Sequence, residues 1–233
     1  EALPPPDPLR GIYEKKKELA QLSAWGALDG VRPLTGGARS RLVQCRIDGA
    51  AWVARYQRES EASLRWVEQA KALARRAGFR VPPLRRLASG ALSAGGWTLE
   101  PWLPGGAPTN WQLFKPVITR FHNLSRRLPA RPGHPAMYRR GGRFARFFPK
   151  PTLSAVHGDL HAGNVLVGPG GPALIDWEES RRDDPAFDLA AFRPKSAEVL
   201  HLAYEGAVCW QREPARARQM AARLRLLTAR PLC

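Results

Sequence analysis

The segment VHGDLHAGNVLVGPGGPALIDW, residues 156–177, contains two aspartates and an asparagine whose side chains could act together in a reaction. Asp159 precedes Asn164 by five residues, and Asp176 follows two apolar runs that are separated by GPGG. The runs NVLV and PALI predict a β-hairpin, because β-rich apolar segments joined by a glycine turn pair with each other. This pairing would bring Asn164, at the entry of the hairpin, beside Asp176, at its exit.

Oxygen-bearing side chains at this spacing indicate a site for a hard cation. Proteins hold Mg²⁺ with one or two carboxylates together with phosphate oxygens and water. Asn164 and Asp176 would suit a nucleotide-bound Mg²⁺, and Asp159 would orient an attacking hydroxyl and accept its proton. Phosphoryl transfer depends mainly on positioning and charge neutralisation, so this small set is sufficient for it. The alternative is that these residues only cap turns in an unrelated α+β protein.

The order HGDLHAGN followed by IDW resembles the protein-kinase pattern H-R-D-x-x-x-x-N followed by a metal-binding Asp. With LIDWE and DPAFDLA added, residues 30–195 resemble the aminoglycoside phosphotransferase and choline kinase superfamily, and most closely its bacterial thiamine-kinase-like members. The resemblance implies an α+β, protein-kinase-like bilobal fold and a reaction that uses ATP and Mg²⁺. It also implies that Asp159 is the catalytic base and that Asn164 and Asp176 are the metal ligands.

Three further residues of the motif are interpreted as supports. In the kinase interpretation, His157 and His161 brace the catalytic loop through hydrogen bonds, whereas a histidine metal pair is the alternative. Asp188, in DPAFDLA, resembles the aspartate that anchors this loop in the family. We expect it to support the loop without taking part in the chemistry.

Nucleotide contacts are expected before the motif. The stretch LTGGARSRL predicts a phosphate-covering loop in which Gly36 and Gly37 permit close backbone approach, with an ordinary hairpin turn as the alternative. Arg55 stands on the third predicted strand, where the protein-kinase template has Lys. This sequence resembles thiamine-kinase-like sequences in carrying Arg at this position. We interpret Arg55 as the phosphate-binding cation. Because a planar guanidinium is not equivalent to an ammonium point charge, a nucleotide-binding pseudokinase is an alternative.

The predicted acidic partner of Arg55 is Glu61, with Glu59 as its rival. Either acid could instead be an ordinary first-turn residue that is favoured by the helix dipole. The stretch TLEPWLPG resembles the hinge between kinase lobes, so we expect backbone groups from Glu100 to Trp102 to contact the adenine edge. A plain linker between domains is the alternative.

Local patterns predict the elements that would position these residues. Three strands are expected first: one before the Gly36-Gly37 turn, then 41–47 and 51–56 on either side of an Asp48-Gly49 turn. A helix that Gly78 ends follows, and then two strands that end at residue 100. Helices are expected at 14–25, 111–128 and 197–227, the last interrupted by Pro214, and DPAFDLAAF is also helical. The predicted domains are an N-terminal extension (1–27), a nucleotide-binding N-lobe (28–103) and a catalytic and substrate-binding C-lobe (104–233).

Composition indicates a globular chain without a membrane span. The 233 residues are 44% hydrophobic, with a mean hydropathy of -0.37. The sequence has no apolar run of about 18 residues and no secretory signal pattern, so a cytoplasmic location is expected. Three widely spaced cysteines, Cys45, Cys209 and Cys233, predict reduced thiols instead of a disulfide framework or a zinc site.

Charge and aromatic content bear on the partner. With 37 Lys and Arg against 20 Asp and Glu, the net charge is +17, so a basic nucleic-acid-binding module is the non-enzymatic alternative. The arginines are scattered and not clustered among aromatics, which argues against nucleic acid. No long activation segment with A-P-E follows Asp176, so a small-molecule hydroxyl is favoured over a protein substrate.

The acceptor is the least defined part of the expectation. Trp102, Trp111 and Trp177, with Glu178 and Glu179 nearby, would suit a cationic alcohol of the thiamine or choline type. Tryptophan is also an ordinary core residue. An aminoglycoside or a lipopolysaccharide-core sugar is the alternative acceptor, and the sequence does not indicate an oligomeric state.

Overall fold

The computed structural model describes residues 19–34, 41–148, 152–209 and 213–228. These residues form two units. The first consists of the described residues up to Arg65 together with Pro82–Leu103, and the second of Trp66–Val81 together with the described residues from Pro104 onwards. Both units contain β-structure and an apolar core, and the second carries most of the helices. The chain is therefore mixed α+β, as predicted.

The first unit is built on an antiparallel sheet whose strands are adjacent in chain order: β1 (Leu28–Pro33), β2 (Arg41–Ile47), β3 (Ala50–Tyr56) and β4 (Trp97–Pro101). The turn between β2 and β3 has positive φ at both Asp48 (51°) and Gly49 (76°). This is the type I′ geometry, which matches the twist of the flanking strands. The predicted hairpin is confirmed.

Side chains of β2 alternate between core and solvent, as the two-residue period of a strand requires. Val43, Cys45 and Ile47 are buried. They pack with apolar side chains from β3 and β4: Ala54, Trp97 and Leu99. Burial raises the pKa of the Cys45 thiol to about 11. Cys45 and Cys209 are both free and buried, whereas Cys233 lies outside the described residues.

The first of the two strands predicted before residue 101 is absent from the described residues, so that prediction was wrong. Pro82 and Pro83 lack the backbone N–H that a strand ladder needs. The segment makes single hydrogen bonds instead, such as Arg85 N–H to the Leu99 carbonyl at 2.7 Å. Residues 14–18 of the helix predicted at 14–25 lie outside the described residues; residues 19 and 20 are helical and lead into the 3₁₀ turn Gln21–Trp25.

Helix α1 (Glu61–Ala77) begins after Ser60, whose Oγ accepts the Ser63 N–H at 3.2 Å. It ends at Gly78, whose φ of 117° terminates helical geometry as predicted. The helix contributes to both units. Leu64 packs with Leu84 and Leu92 in the first, and the later apolar positions join the core of the second: Trp66, Val67, Ala70, Ala74 and Ala77.

The second unit contains two small antiparallel pairs of strands. One pair joins β5 (Ser154–Val156) to β8 (Arg181–Asp183), and the other joins β6 (Val165–Gly168) to β7 (Gly171–Leu174). In the β6–β7 pair Val165 is opposite Leu174. This pair is the hairpin that the segment NVLVGPGGPALI predicts, so the prediction is confirmed.

The helices that complete the second unit are α2 (Lys115–Ser125), α3 (Met137–Arg140), α4 (Ala186–Leu189), α5 (Pro194–Cys209) and α6 (Pro214–Thr228). Pro214 begins α6, where its fixed φ and missing N–H are tolerated, so the predicted interruption separates two helices. No helix in the described part of the chain is both long enough and apolar enough to cross a membrane.

Candidate active site

One buried carboxylate, Asp188 of α4, holds the loop that follows β5. Its Oδ2 accepts the His157 N–H at 2.7 Å and its Oδ1 accepts the Gly158 N–H at 2.9 Å. Oδ2 also lies 2.9 Å from His122 Nε2 of α2. Burial acts to raise the pKa of Asp188, but hydrogen bonding and charge from His122, the charge of His157 and the Gly158 amide outweigh it. The pKa of Asp188 is therefore lowered.

Gly158 lies where this loop passes close to the chain just before β8. Its φ is 87°, a left-handed conformation that side chains disfavour. A Cβ at this position would lie 2.3 Å from the Glu179 carbonyl oxygen. The loop therefore requires glycine directly before Asp159.

His157 connects the loop to the end of the β6–β7 hairpin. Its ring is fully buried, and Nε2 lies 2.8 Å from the Ile175 carbonyl oxygen. Because a carbonyl only accepts, Nε2 donates this hydrogen bond. The ring also packs edge-on to Trp177, with 5.2 Å between ring centroids. His157 therefore contacts other parts of the protein on every described side, as a residue that supports the loop would.

Asn164 joins both sides of the motif. Its Nδ2 donates to the Asp159 carbonyl at 2.8 Å and lies 3.5 Å from the Asp159 carboxylate. Its backbone carbonyl accepts the Ile175 N–H at 3.0 Å. Asp176 is the next residue, so the structure brings the backbones of Asp159, Asn164 and Asp176 together. Asn164 is buried, with 6% of its surface exposed.

Asp159 and His161 are the solvent-accessible members of the motif. Their side chains are 51% and 56% exposed, and 3.8 Å separates His161 Nε2 from Asp159 Oδ2. The other ring nitrogen, Nδ1, accepts the Gly163 N–H at 3.1 Å. A carboxylate at this position is open to solvent and can reach a substrate.

Asp176 adopts φ of 65°. The left-handed region is uncommon for residues other than glycine, although Asp tolerates it better than most. The hairpin exit is thus bent sharply at the residue that the motif assigns to a cation. Strain of this kind is stored most often at functional sites.

The donor set fits a hard cation. Because Nδ2 of Asn164 donates to Asp159, the amide oxygen Oδ1 of Asn164 is the atom that would bind a cation. Asp176 would add a carboxylate. Oxygen ligands in this number suit Mg²⁺, which keeps water and phosphate oxygens in its remaining positions. Among the described residues, no three His, Cys, Asp or Glu side chains form a metal-binding group.

The residues that the sequence predicts to contact the nucleotide belong to the first unit. Gly36 and Gly37 lie outside the described residues. Arg55 is on β3, opposite Leu42 of β2 and Thr98 of β4. Its backbone carbonyl accepts the Thr98 hydroxyl at 3.4 Å.

Glu61, Glu100 and Trp102 also belong to the first unit. The Glu61 carboxylate accepts Arg65 Nε and the Leu92 N–H, both at 3.1 Å. Among its described contacts there is none with Arg55, so the structure does not bring the expected pair together. Glu100 is on β4, and Trp102 follows that strand with 38% of its surface exposed.

Two supporting residues are missing from the sequence interpretation. His122 contacts Asp188, as described above. Arg131 is buried and donates to the carbonyls of Glu178 at 2.8 Å and Ser180 at 2.6 Å, so it fixes the segment that follows Asp176. The pattern of α2 could have placed His122 on its buried face. Arg131 carries no local signal, because it lies in an irregular Pro- and Arg-rich stretch.

Comparison with known sequences supports the resemblance found in the motif. A model of the phosphotransferase enzyme family matches residues 142–224. The thiamine kinase of Shigella boydii serotype 4 (strain Sb227) is 48% identical over 44 residues. This match spans 18% of the present chain and only 16% of the thiamine kinase.

Solved structures show the fold. A choline kinase from Streptococcus pneumoniae matches 93% of this chain and 99% of its own, at 12% identity and a TM-score of 0.64. An amicoumacin kinase in complex with AMP-PNP, Ca²⁺ and its ligand matches 94% of this chain and 93% of its own, at 13% identity and a TM-score of 0.63. The predicted protein-kinase-like fold is confirmed.

Proposed function

We propose that this chain, which resembles the aminoglycoside phosphotransferase and choline kinase superfamily in motif, matched residues and fold, is an ATP- and Mg²⁺-dependent small-molecule kinase. It would transfer the γ-phosphoryl group of ATP to a hydroxyl. The arrangement around Asn164 supports this proposal best. The buried side-chain amide of Asn164 donates to the Asp159 carbonyl, and the Asn164 backbone carbonyl accepts the N–H of Ile175, directly before Asp176.

Asp159 is the proposed catalytic base. Its exposed carboxylate would hydrogen-bond to the acceptor hydroxyl and take its proton as the oxygen attacks phosphorus. Asp188 and His157 would hold the backbone of the loop, so that the carboxylate keeps its position. The proton would end on Asp159, and the leaving group would be ADP.

Asn164 and Asp176 are the proposed holders of Mg²⁺. When bound, the ion would neutralise charge on the phosphate oxygens. The protein's part would be to hold the Asn164 and Asp176 oxygens at the end of the β6–β7 hairpin, which would limit reorganisation at the moment of transfer.

Nucleotide contacts are proposed from the resemblance. Gly36 and Gly37 would approach the phosphates, Arg55 would bind them, and the backbone from Glu100 to Trp102 would contact the adenine edge. The presence of Arg55 in place of Lys keeps a pseudokinase as the second candidate, and ATP binding without transfer would identify it.

For the acceptor we favour a cationic alcohol of the thiamine or choline type, with an aminoglycoside or lipopolysaccharide-core sugar as the alternative. The local match to a thiamine kinase supports this choice. Two of the three tryptophans that the sequence offers as contacts for a cationic acceptor do not support this choice. Trp177 is only 3% exposed and donates to the Leu174 carbonyl, and Trp111 stacks on Phe192 at 4.7 Å. Both serve the core.

Turnover of ATP with Mg²⁺ should be measured over a panel of thiamine, choline, aminoglycosides and sugars. We expect one acceptor class to be phosphorylated, and Asp159→Asn to lower its kcat by about two to four orders of magnitude. Asp29→Asn, an exposed carboxylate change in the first unit, is the matched control and should leave kcat unchanged. An Asp159→Asn rate equal to that of the unaltered chain would contradict the assignment.

A further inference from the structure

A cavity in the second unit is lined by residues that the proposed catalytic site does not use. Its volume is about 370 Å³, and its walls come from the 3₁₀ turn Gly142–Phe147 and from α6. The lining residues are Arg143, Phe144, Arg146, Phe147, Arg218, Ala221 and Arg225. They include four arginines and no acid, so the cavity concentrates positive charge.

Helix α6 carries two rows of arginines with different partners. Arg216 and Arg223, seven residues apart, form ion pairs with Glu205 and Glu198 of α5. Arg218 and Arg225 share the same interval and therefore occupy another common face, two helical turns apart. Within the described part of the chain, neither of them forms an ion pair or a hydrogen bond. The helix thus neutralises one row and directs the other to the cavity.

The opposite wall supplies an aromatic surface. Phe147 is partly buried, and the guanidinium of Arg146 lies 4.8 Å from the centre of its ring. Guanidinium groups that share a cavity repel one another, and a bound anion would relieve that repulsion. Their planar donors match phosphate oxygens in pairs.

We propose that this cavity is a binding site for a small organic phosphate. The phosphate would contact Arg218 and Arg225, and an apolar or planar body would lie against Phe147. The volume favours this class over nucleic acid, because pockets of about 300–1,000 Å³ hold small ligands. Nucleic acid instead covers about 1,000 Å² or more of extended protein surface.

Isothermal titration calorimetry on the full chain tests the proposal with phenyl phosphate, inorganic phosphate and benzyl alcohol as probes. We expect phenyl phosphate to bind most tightly, inorganic phosphate more weakly and benzyl alcohol not to bind. Arg218→Gln combined with Arg225→Gln should weaken phenyl phosphate binding at least about tenfold, because two charge-assisted contacts are lost. Arg218→Lys with Arg225→Lys, which keeps the charge, should lose less.

The matched control is Arg126→Gln with Arg127→Gln, which removes the same charge from exposed positions outside the cavity. It should leave binding within about twofold. Asp176→Ala should also leave it unchanged, which separates this site from the proposed kinase site. The proposal is overturned if phenyl phosphate does not bind, if both arginine pairs matter equally, or if Asp176→Ala abolishes binding. Single-stranded RNA that binds through Arg218 and Arg225 and resists competition by phenyl phosphate would also overturn it.

Discussion

At the scale of single residues, the environment gives two aspartates of one motif different properties. Asp188 is fully buried and accepts two backbone N–H groups, so its carboxylate is committed to structure. Asp159 is about half exposed, so its carboxylate is accessible for proton transfer. Residue type alone does not distinguish these roles; burial and the number of donors do.

Asp188→Asn should lower the free energy of unfolding by about 3 kcal/mol. An amide cannot accept both backbone N–H groups with full charge, and a buried amide left without a partner costs about 1–3 kcal/mol. Urea denaturation would measure the change. Asp159→Asn is the control, because an exposed position should shift stability by only about 0.5 kcal/mol. Equal losses in the two variants would contradict the assigned role of Asp188.

The lowered pKa of Asp188 also predicts a pH dependence. Its folded pKa lies below the ordinary value of 3.8, so the unfolded chain binds the proton more tightly. The stabilisation is present above pH 3.8 and is lost as pH falls below that value through the folded pKa. Unfolding midpoints measured between about pH 5 and pH 2 should fall less steeply for Asp188→Asn. An equal fall of the unfolding midpoint with pH in the unaltered chain and in Asp188→Asn would contradict this prediction.

At the scale of elements, close backbone approach positions the loop. The tight spacing between Gly158 and the Glu179 carbonyl holds the residue before Asp159 against the segment before β8. The β6–β7 hairpin then places Ile175 on Asn164. The close approach at Gly158 therefore positions one half of the motif, and the hairpin positions the other.

Gly158→Ala should destabilise the second unit by more than about 2 kcal/mol, since positive φ and a backbone clash add together. Gly133→Ala is a matched control, because Gly133 also has positive φ, 76°, but nothing lies within 4 Å of its missing Cβ. That control should cost about 1 kcal/mol. Thermal unfolding of both variants would show whether the clash adds to the backbone strain.

Burial of β2 predicts low reactivity for Cys45. With a pKa of about 11, only about 0.1% of the thiol is ionised at pH 8, and the thiolate is the reactive form. In a Cys209→Ser, Cys233→Ser background, reaction with a disulfide reagent should be far slower in the folded chain than in urea. A folded rate equal to the unfolded rate would show that β2 opens readily.

At the scale of the whole molecule, binding of the proposed nucleotide and Mg²⁺ should stabilise the folded chain. A ligand that binds only the folded chain raises its stability by mass action, by about 2.7 kcal/mol at 100 times its Kd. We expect AMP-PNP with Mg²⁺ to raise the unfolding temperature, and Asp176→Ala to remove the Mg²⁺-dependent part. Asp29→Asn should keep it. A shift that does not depend on Mg²⁺ would contradict the roles proposed for Asn164 and Asp176.

The sequence by itself determined the features that depend on near neighbours. The turns at Asp48-Gly49 and GPGG predict their hairpins because glycine and aspartate tolerate the backbone angles required. The spacing of Asp159, Asn164 and Asp176 on either side of a hairpin predicts their convergence. Turn preferences and short-range spacing depend on a few neighbouring residues, so a sequence pattern is enough to predict their effect.

Only the tertiary structure decided the features that join distant segments. His122 and Asp188 are 66 positions apart and meet through packing of α2 against α4. Trp177 is a core residue, and α1 is shared by two units, which no local pattern indicates. The arginines of α6 look uniform in sequence, but α5 supplies carboxylates to one face only. Burial and ion pairing depend on what the rest of the chain brings near, so their energies have no counterpart in the local sequence.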